Sequence, residues 1–171
     1  MILDATAGNR IIWQTKETDT IIHIDIEKQL ERKPTLFADN TRTPFKDKQF
    51  DTIFYDPPHA WSFNSIFWGF PDKDTFKANH PKDNRQFPPY YGMERYKSKT
   101  ALVTHLYKAQ KEFMRVSDIL CFKWNETSHI IDKILPLFKP WVVKYMKKHH
   151  STMKRGKSTT WWVTMIVGNK R

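Results

Sequence analysis

Four short apolar runs in the first third of the chain each stop at an acidic side chain. Met1-Ile2-Leu3 stops at Asp4, Ile21 to Ile24 at Asp25, Thr35 to Ala38 at Asp39, and Phe50 to Tyr55 at Asp56. Runs of this length read as strands, and strands that recur with short crossovers build right-handed parallel units. Ligands of such open sheets sit beyond the carboxyl ends of the strands, where the strand order reverses. The four acids therefore belong to one sheet edge.

The connecting segments agree with this reading. A helix is expected over Ile11 to Thr15, and a helical or turn segment over Lys28 to Arg32. Residues 60 to 98 interrupt the alternation with aromatic side chains, Trp61 among them, set between Pro, Asn, Lys and Asp. A stretch of that length without periodicity is usually functional. Beyond it, Leu102, Leu106, Ala109, Phe113 and Met114 recur at helical spacing, which predicts an amphipathic helix over Lys99 to Val116. Asp118 to Trp124 reads as a fifth strand and Ile130 to Phe138 as a helix that Thr127 or Ser128 could cap. Trp141 to Met146 and Thr159 to Val167 are the last two strands, joined by what reads as a long basic hairpin loop. Two consecutive strands at the end imply an antiparallel pair on an otherwise parallel sheet.

At 171 residues the chain is expected to be one domain, with residues 60–98 as a substrate-side aromatic insertion. Nothing reads as a secretory signal or membrane span. The single Cys121 has no internal partner, and no Cys/His spacing suggests zinc. A cytoplasmic protein without a metal is expected; the oligomeric state is left open.

Charge is unevenly spread. The net charge is +11. Residues 1–60 carry slightly more acids than bases, whereas Lys139, Lys144, Lys147, Lys148, Lys154, Arg155 and Lys157 fall in a stretch without an acid. That distribution points to a polyanionic partner.

Two sites follow from the residues. Asp4-Ala5-Thr6-Ala7-Gly8 is a small-residue loop whose glycine lets backbone approach a ligand closely. Asp25, about 20 residues further on, is placed to hold both hydroxyls of a ribose. Asp39, followed by Asn40, could accept from an adenine amino group. An adenosine-containing cofactor is expected there. Asp56-Pro57-Pro58-His59 forms the second site, a stiff corner with a carboxylate, carbonyl oxygens and a flat imidazole. It suits a planar, amine-bearing molecule.

The order of these pieces resembles the class I S-adenosylmethionine-dependent methyltransferases, in particular the amino-methyltransferases with an Asp-Pro-Pro-aromatic motif. The likeness rests on D-x-x-x-G-x-R at Asp4 to Arg10, D-P-P-H at Asp56 to His59 and F-K-W-N-E at Phe122 to Glu126. It is nearest to small stand-alone nucleic-acid N-methyltransferases of phage and microbial genomes. Arg10 stands where the family usually has a second loop glycine, and the chain opens on its first strand, without the helix that usually precedes it.

The resemblance implies an α/β, Rossmann-like fold, a mostly parallel seven-stranded sheet with an antiparallel last strand. It implies S-adenosyl-L-methionine as cofactor, held by Asp4, Ala5, Thr6, Ala7, Gly8, Asp25, Asp39 and Asn40. Asp56, Pro57 and His59 would be catalytic. His59, Trp61, Lys123, Trp124, Asn125, Lys147, Lys148, Lys154 and Arg155 would meet the substrate. The activity implied is methylation of the exocyclic amine of adenine or cytosine in nucleic acid, with RNA (such as ribosomal RNA) favoured over DNA because the small chain lacks a module for reading the major groove. The competing expectations are a methyltransferase for a protein amide or a small molecule, and a non-catalytic RNA-binding subunit that keeps the fold.

Overall fold

The computed structural model describes residues 1–10, 12–14, 18–28, 30–59, 96, 98–126, 130–153 and 156–168, without the side chains of 151–153 and 156–158. Its elements run β1 (Ile2–Asp4), β2 (Ile21–Asp25), β3 (Leu36–Phe37), β4 (Thr52–Tyr55), α1 (Lys99–Val116), β5 (Ile119–Asn125), α2 (Ile131–Ile134), a 3₁₀ turn (Leu135–Phe138), β6 (Trp141–Met153) and β7 (Gly156–Val167). The seven strands form one sheet in the order β3-β2-β1-β4-β5-β7-β6. β1 to β5 pair in parallel, and β7 lies antiparallel between β5 and β6. This is the α/β, mostly parallel seven-stranded sheet with an antiparallel last strand expected from the sequence. The order reverses between β1 and β4, so the carboxyl ends of those two strands border the ligand crevice of the fold.

One face of the sheet carries the core. Leu102, Leu106, Ala109, Phe113 and Val116 are fully buried along one side of α1, as the spacing predicts. The helix starts where the Ser98 hydroxyl accepts from Ala101 N–H (3.2 Å), and it stops at Ser117, whose N–H still reaches the Phe113 carbonyl (2.9 Å). Phe113 stands edge-on to Tyr55 of β4 with ring centres 4.8 Å apart. Phe122 of β5 stacks with Trp124 and packs against Phe138. The aromatic wealth of the chain thus welds α1, β4, β5 and the 3₁₀ turn together.

Three expectations are corrected. Residues 12–14 of the supposed first helix form a turn instead, with Trp13 N–H donating to the Arg10 carbonyl (3.1 Å); Ile11 and Thr15 lie outside the described residues. The helix over Ile130 to Phe138 is a single α-turn that tightens into 3₁₀, because Pro136 has no N–H to continue the ladder. The long basic loop is mostly strand. β6 continues to Met153 and pairs residue by residue with β7, down to Met153 opposite Gly156. Lys and His are poor strand formers, but cross-strand neighbours such as Trp161 and Trp162 override weak propensity.

The aromatic insertion at residues 60–95 lies outside the described residues. Among those described, no helix is long and apolar enough to cross a membrane.

Candidate active site

The loop after β1 is built around a buried acid. Asp4 is fully buried. Its Oδ1 accepts from Thr6 N–H (3.3 Å), its Oδ2 accepts from the Trp13 indole (2.7 Å), and Nδ1 of His23, opposite it on β2, lies 3.0 Å from Oδ2. Asp4 therefore faces into the protein and shapes the loop from below. Above it the backbone is tied to both neighbouring strands: Ala5 N–H donates to Phe54 and Ala7 N–H to Ile24.

Gly8 adopts φ +48, and among the described residues a Cβ built there would meet nothing within 4 Å. Among those residues the loop passes under open space, with a backbone turn that glycine takes at no steric cost. Asp25 Oδ2 accepts the Gly8 N–H (2.9 Å) and Oδ1 accepts Glu27 N–H (2.9 Å). Each oxygen keeps lone-pair capacity for a hydroxyl. Arg10, at φ 58, takes the left-handed turn that a glycine would. Its guanidinium is buried against the Lys33 carbonyl, 2.7 Å away.

The third acid sets a turn. Asp39 Oδ1 accepts from both the N–H and the hydroxyl of Thr41, each at 2.8 Å. The buried Asn40 reaches back with Nδ2 to the Ala5 carbonyl (3.0 Å), while its Oδ1 has no donor. An orphaned buried acceptor, open space above Gly8 and a ribose-compatible carboxylate at Asp25 fit an adenosine-type cofactor. Asp4 would support that site without touching the cofactor.

The fourth acid borders this loop directly, since Asp56 N–H donates to Thr6 Oγ1 (2.8 Å). Its carboxylate stands between two basic side chains. Lys123 Nζ of β5 hydrogen-bonds Oδ2, and His59 Nε2 lies 3.3 Å from Oδ1. The latter is a close approach without a directed hydrogen bond to Oδ1. Burial pushes the Asp56 carboxyl pKa up. The His59 and Lys123 contacts pull harder, and the group sits below the ordinary aspartate value of 3.8.

His59 stands edge-on to Trp124, with ring centres 5.3 Å apart at 82°. Trp124 itself is fully buried. It braces His59 from one side. Asn125 donates from Nδ2 to Thr160 Oγ1 (3.0 Å), and Glu126 Oε1 accepts the first N–H of α2, that of Ile131 (2.9 Å).

Lys147 and Lys148 are exposed on β6. Lys148 Nζ lies 5.3 Å from the Trp161 ring centre, and Lys123 Nζ lies 5.7 Å from that of Trp162. Trp61, Lys154 and Arg155 fall outside the described residues. Sequence reasoning missed Trp13, His23 and Trp162. Strand register, Asp4 opposite His23 and Lys123 opposite Trp162, brings the last two to the site, and the turn on the Arg10 carbonyl brings Trp13.

No family model matches the chain, and no curated protein matches it in sequence. Among solved structures it is similar to a S-adenosylmethionine-dependent methyltransferase of Methanosarcina mazei, with 13% identity over 96% of this chain and 91% of that one and a TM-score of 0.49.

Proposed function

We propose that this chain is an S-adenosylmethionine-dependent N-methyltransferase acting on the exocyclic amino group of adenine or cytosine in nucleic acid, with RNA favoured over DNA. The observation that carries the reading is the Asp56 corner. Asp56, whose ionised carboxylate stands at the end of β4, is tied through its backbone N–H to Thr6 Oγ1 of the glycine-bearing loop after β1. Donor and acceptor sites are thus adjacent across the switch point of the sheet.

The cofactor would be held by the Gly8 loop, Asp25, Asp39 and Asn40, and when bound it supplies an electrophilic methyl group. The protein's part is to make a poor nucleophile competent. The lone pair of an exocyclic amine is delocalised into its ring. An N–H bonded to the Asp56 carboxylate, with a second to the Pro57 carbonyl, favours a more tetrahedral nitrogen and stabilises the positive charge that develops on it. A carboxylate held below 3.8 is a weak base, so Asp56 acts by charge and orientation rather than by keeping the proton. His59, braced by Trp124, offers a ring on which an unpaired or flipped base stacks. The lysines on β6 supply attraction for a phosphate backbone.

Purified protein incubated with isotope-labelled S-adenosylmethionine and total RNA or DNA, followed by nucleoside mass spectrometry, should place label on N6 of adenine or N4 of cytosine. Label on a protein amide or a small molecule alone would replace the acceptor. Asp25→Ala should weaken cofactor binding by roughly 1.5–3 kcal/mol through a lost charge-assisted bond; unchanged affinity in calorimetry removes Asp25 from the site. Neutralising Lys147, Lys148, Lys154 and Arg155 together should flatten log affinity against log salt by roughly 0.7 to 0.9 for each phosphate left without its cation. An unaltered slope means the ribbon is only a solvated surface.

A further inference from the structure

The carboxylate that the proposed chemistry needs is already covered. Asp56 Oδ2 holds the Lys123 ammonium, and Oδ1 faces His59 Nε2 at 3.3 Å. An acceptor amine that takes an occupied face of Asp56 requires one of these groups to give way.

The two neighbours differ in their freedom to do so. His59 follows two prolines, which fix the backbone that presents it, and its ring is wedged edge-on against the fully buried Trp124. Lys123 reaches Asp56 on a flexible four-carbon stem and is 23% exposed. A second station lies within its reach. Trp162, directly across the ladder on β7, has its ring centre 5.7 Å from the same Nζ. An indole face holds an ammonium without desolvating it fully.

We infer that Lys123 is the specificity-determining placeholder of the acceptor site: its ammonium occupies Asp56 until an incoming amino group displaces it towards Trp162. This rests on the reading of Asp56 as the partner of the acceptor amine. The exchange discriminates by chemistry. An amino group brings a donor that replaces the one Asp56 loses. A keto group at the same position brings only an acceptor, which cannot satisfy a carboxylate and leaves Lys123 in place. Selection of amino-bearing over keto-bearing bases is thereby built into a displacement, without a pocket that measures shape.

The experiment compares wild type, Lys123→Met and Lys123→Arg by calorimetric titration. The probes are cytidine against uridine 5′-monophosphate, adenosine against purine riboside 5′-monophosphate, and a glutamine-containing tripeptide. Removing the placeholder in Lys123→Met should tighten binding of the amine-bearing member of a pair about tenfold and leave its amine-free counterpart unchanged. Lys123→Arg, whose forked guanidinium grips a carboxylate at two points, should weaken the amine-bearing member. Weaker binding in Lys123→Met, equal changes for both members of a pair, or no gain for any amine would each overturn the inference. A gain confined to the tripeptide amide would uphold the placeholder and overturn the nucleobase as acceptor. Should Lys123→Met fail to fold, Lys123→Arg decides by its sign: unchanged or tighter binding of the amine-bearing nucleotide overturns the proposal.

Discussion

Asp4 and Asp56 end adjacent, parallel strands of the same sheet, and their surroundings are opposite. Asp4 is sealed from water and surrounded by the Thr6 amide, the Trp13 indole and the His23 imidazole. Asp56 is partly exposed and held by a lysine and a histidine at distances that leave one oxygen poorly served. A buried acid with well-placed donors is costly to disturb and cheap to keep. An acid beside a lysine on a flexible stem can exchange that partner. Equivalent positions in a sequence pattern have thus become a fixed strut and an exchangeable contact.

The largest effect should come from breaking the strut. Asp4→Ala removes the acceptor for the part-buried Trp13 indole N–H, for Thr6 and for the buried His23, so denaturant unfolding should show a loss of about 3 kcal/mol or more. A loss below about 1 kcal/mol would mean that the loop re-forms without it. Asp56→Ala should reverse the pattern. Methyl transfer should fall at least about 100-fold, the scale of one lost electrostatic stabiliser, while stability stays within about 1 kcal/mol of wild type because the Lys123 head group can return to water. Near-normal turnover would remove Asp56 from the chemistry.

Thr6→Val cuts the hydrogen bond that joins the two acids' loops. It should cost about 1 kcal/mol in the same unfolding experiment, and it should lower transfer without altering Asp4's contacts, which NMR of the Trp13 indole proton can follow. The smallest effect concerns acid. The folded-state pKa of Asp56 lies below its unfolded value of 3.8. Its ion pairs therefore contribute stability that is complete above pH 3.8 and disappears as pH falls through the lower, folded value. Stability profiles of wild type and Asp56→Asn should differ at neutral pH and converge as pH falls through the lower, folded value. Parallel profiles throughout would show that the pairs contribute nothing.

The sheet and its edge of acids were legible because strand length, alternation and chain-terminating Asp residues are local signals. α1 was equally plain, since its buried positions recur within one element. The role of each acid was not legible, because it depends on what lies across the ladder. Nothing near Asp4 in sequence announces His23 as its neighbour, and nothing near Lys123 announces Asp56 or Trp162. The β6–β7 ribbon was hidden for a related reason. Lysine and histidine are weak strand formers, and only pairing along twelve residues of β7 stabilises their extended backbone. Pro136 was visible in the sequence, yet its effect was to tighten a helix rather than end it, because Phe138 still packs under Phe122.

β6 closes the sheet, and at thirteen residues it is the longest strand. The outer border of such a strand is a row of backbone donors and acceptors on which a second chain could zip up. The register slips between Val143 and Tyr145, leaving Lys144 out of step, and Lys147 and Lys148 follow with exposed charges. A kink and a run of ammonium groups are effective deterrents to that zipping. The positive charge on this strand therefore opposes edge-to-edge pairing of copies, whatever else it attracts. Removing Lys147 and Lys148 would uncover a flat border beside the exposed Val142, Val143 and Tyr145, and such a variant should self-associate as its concentration rises.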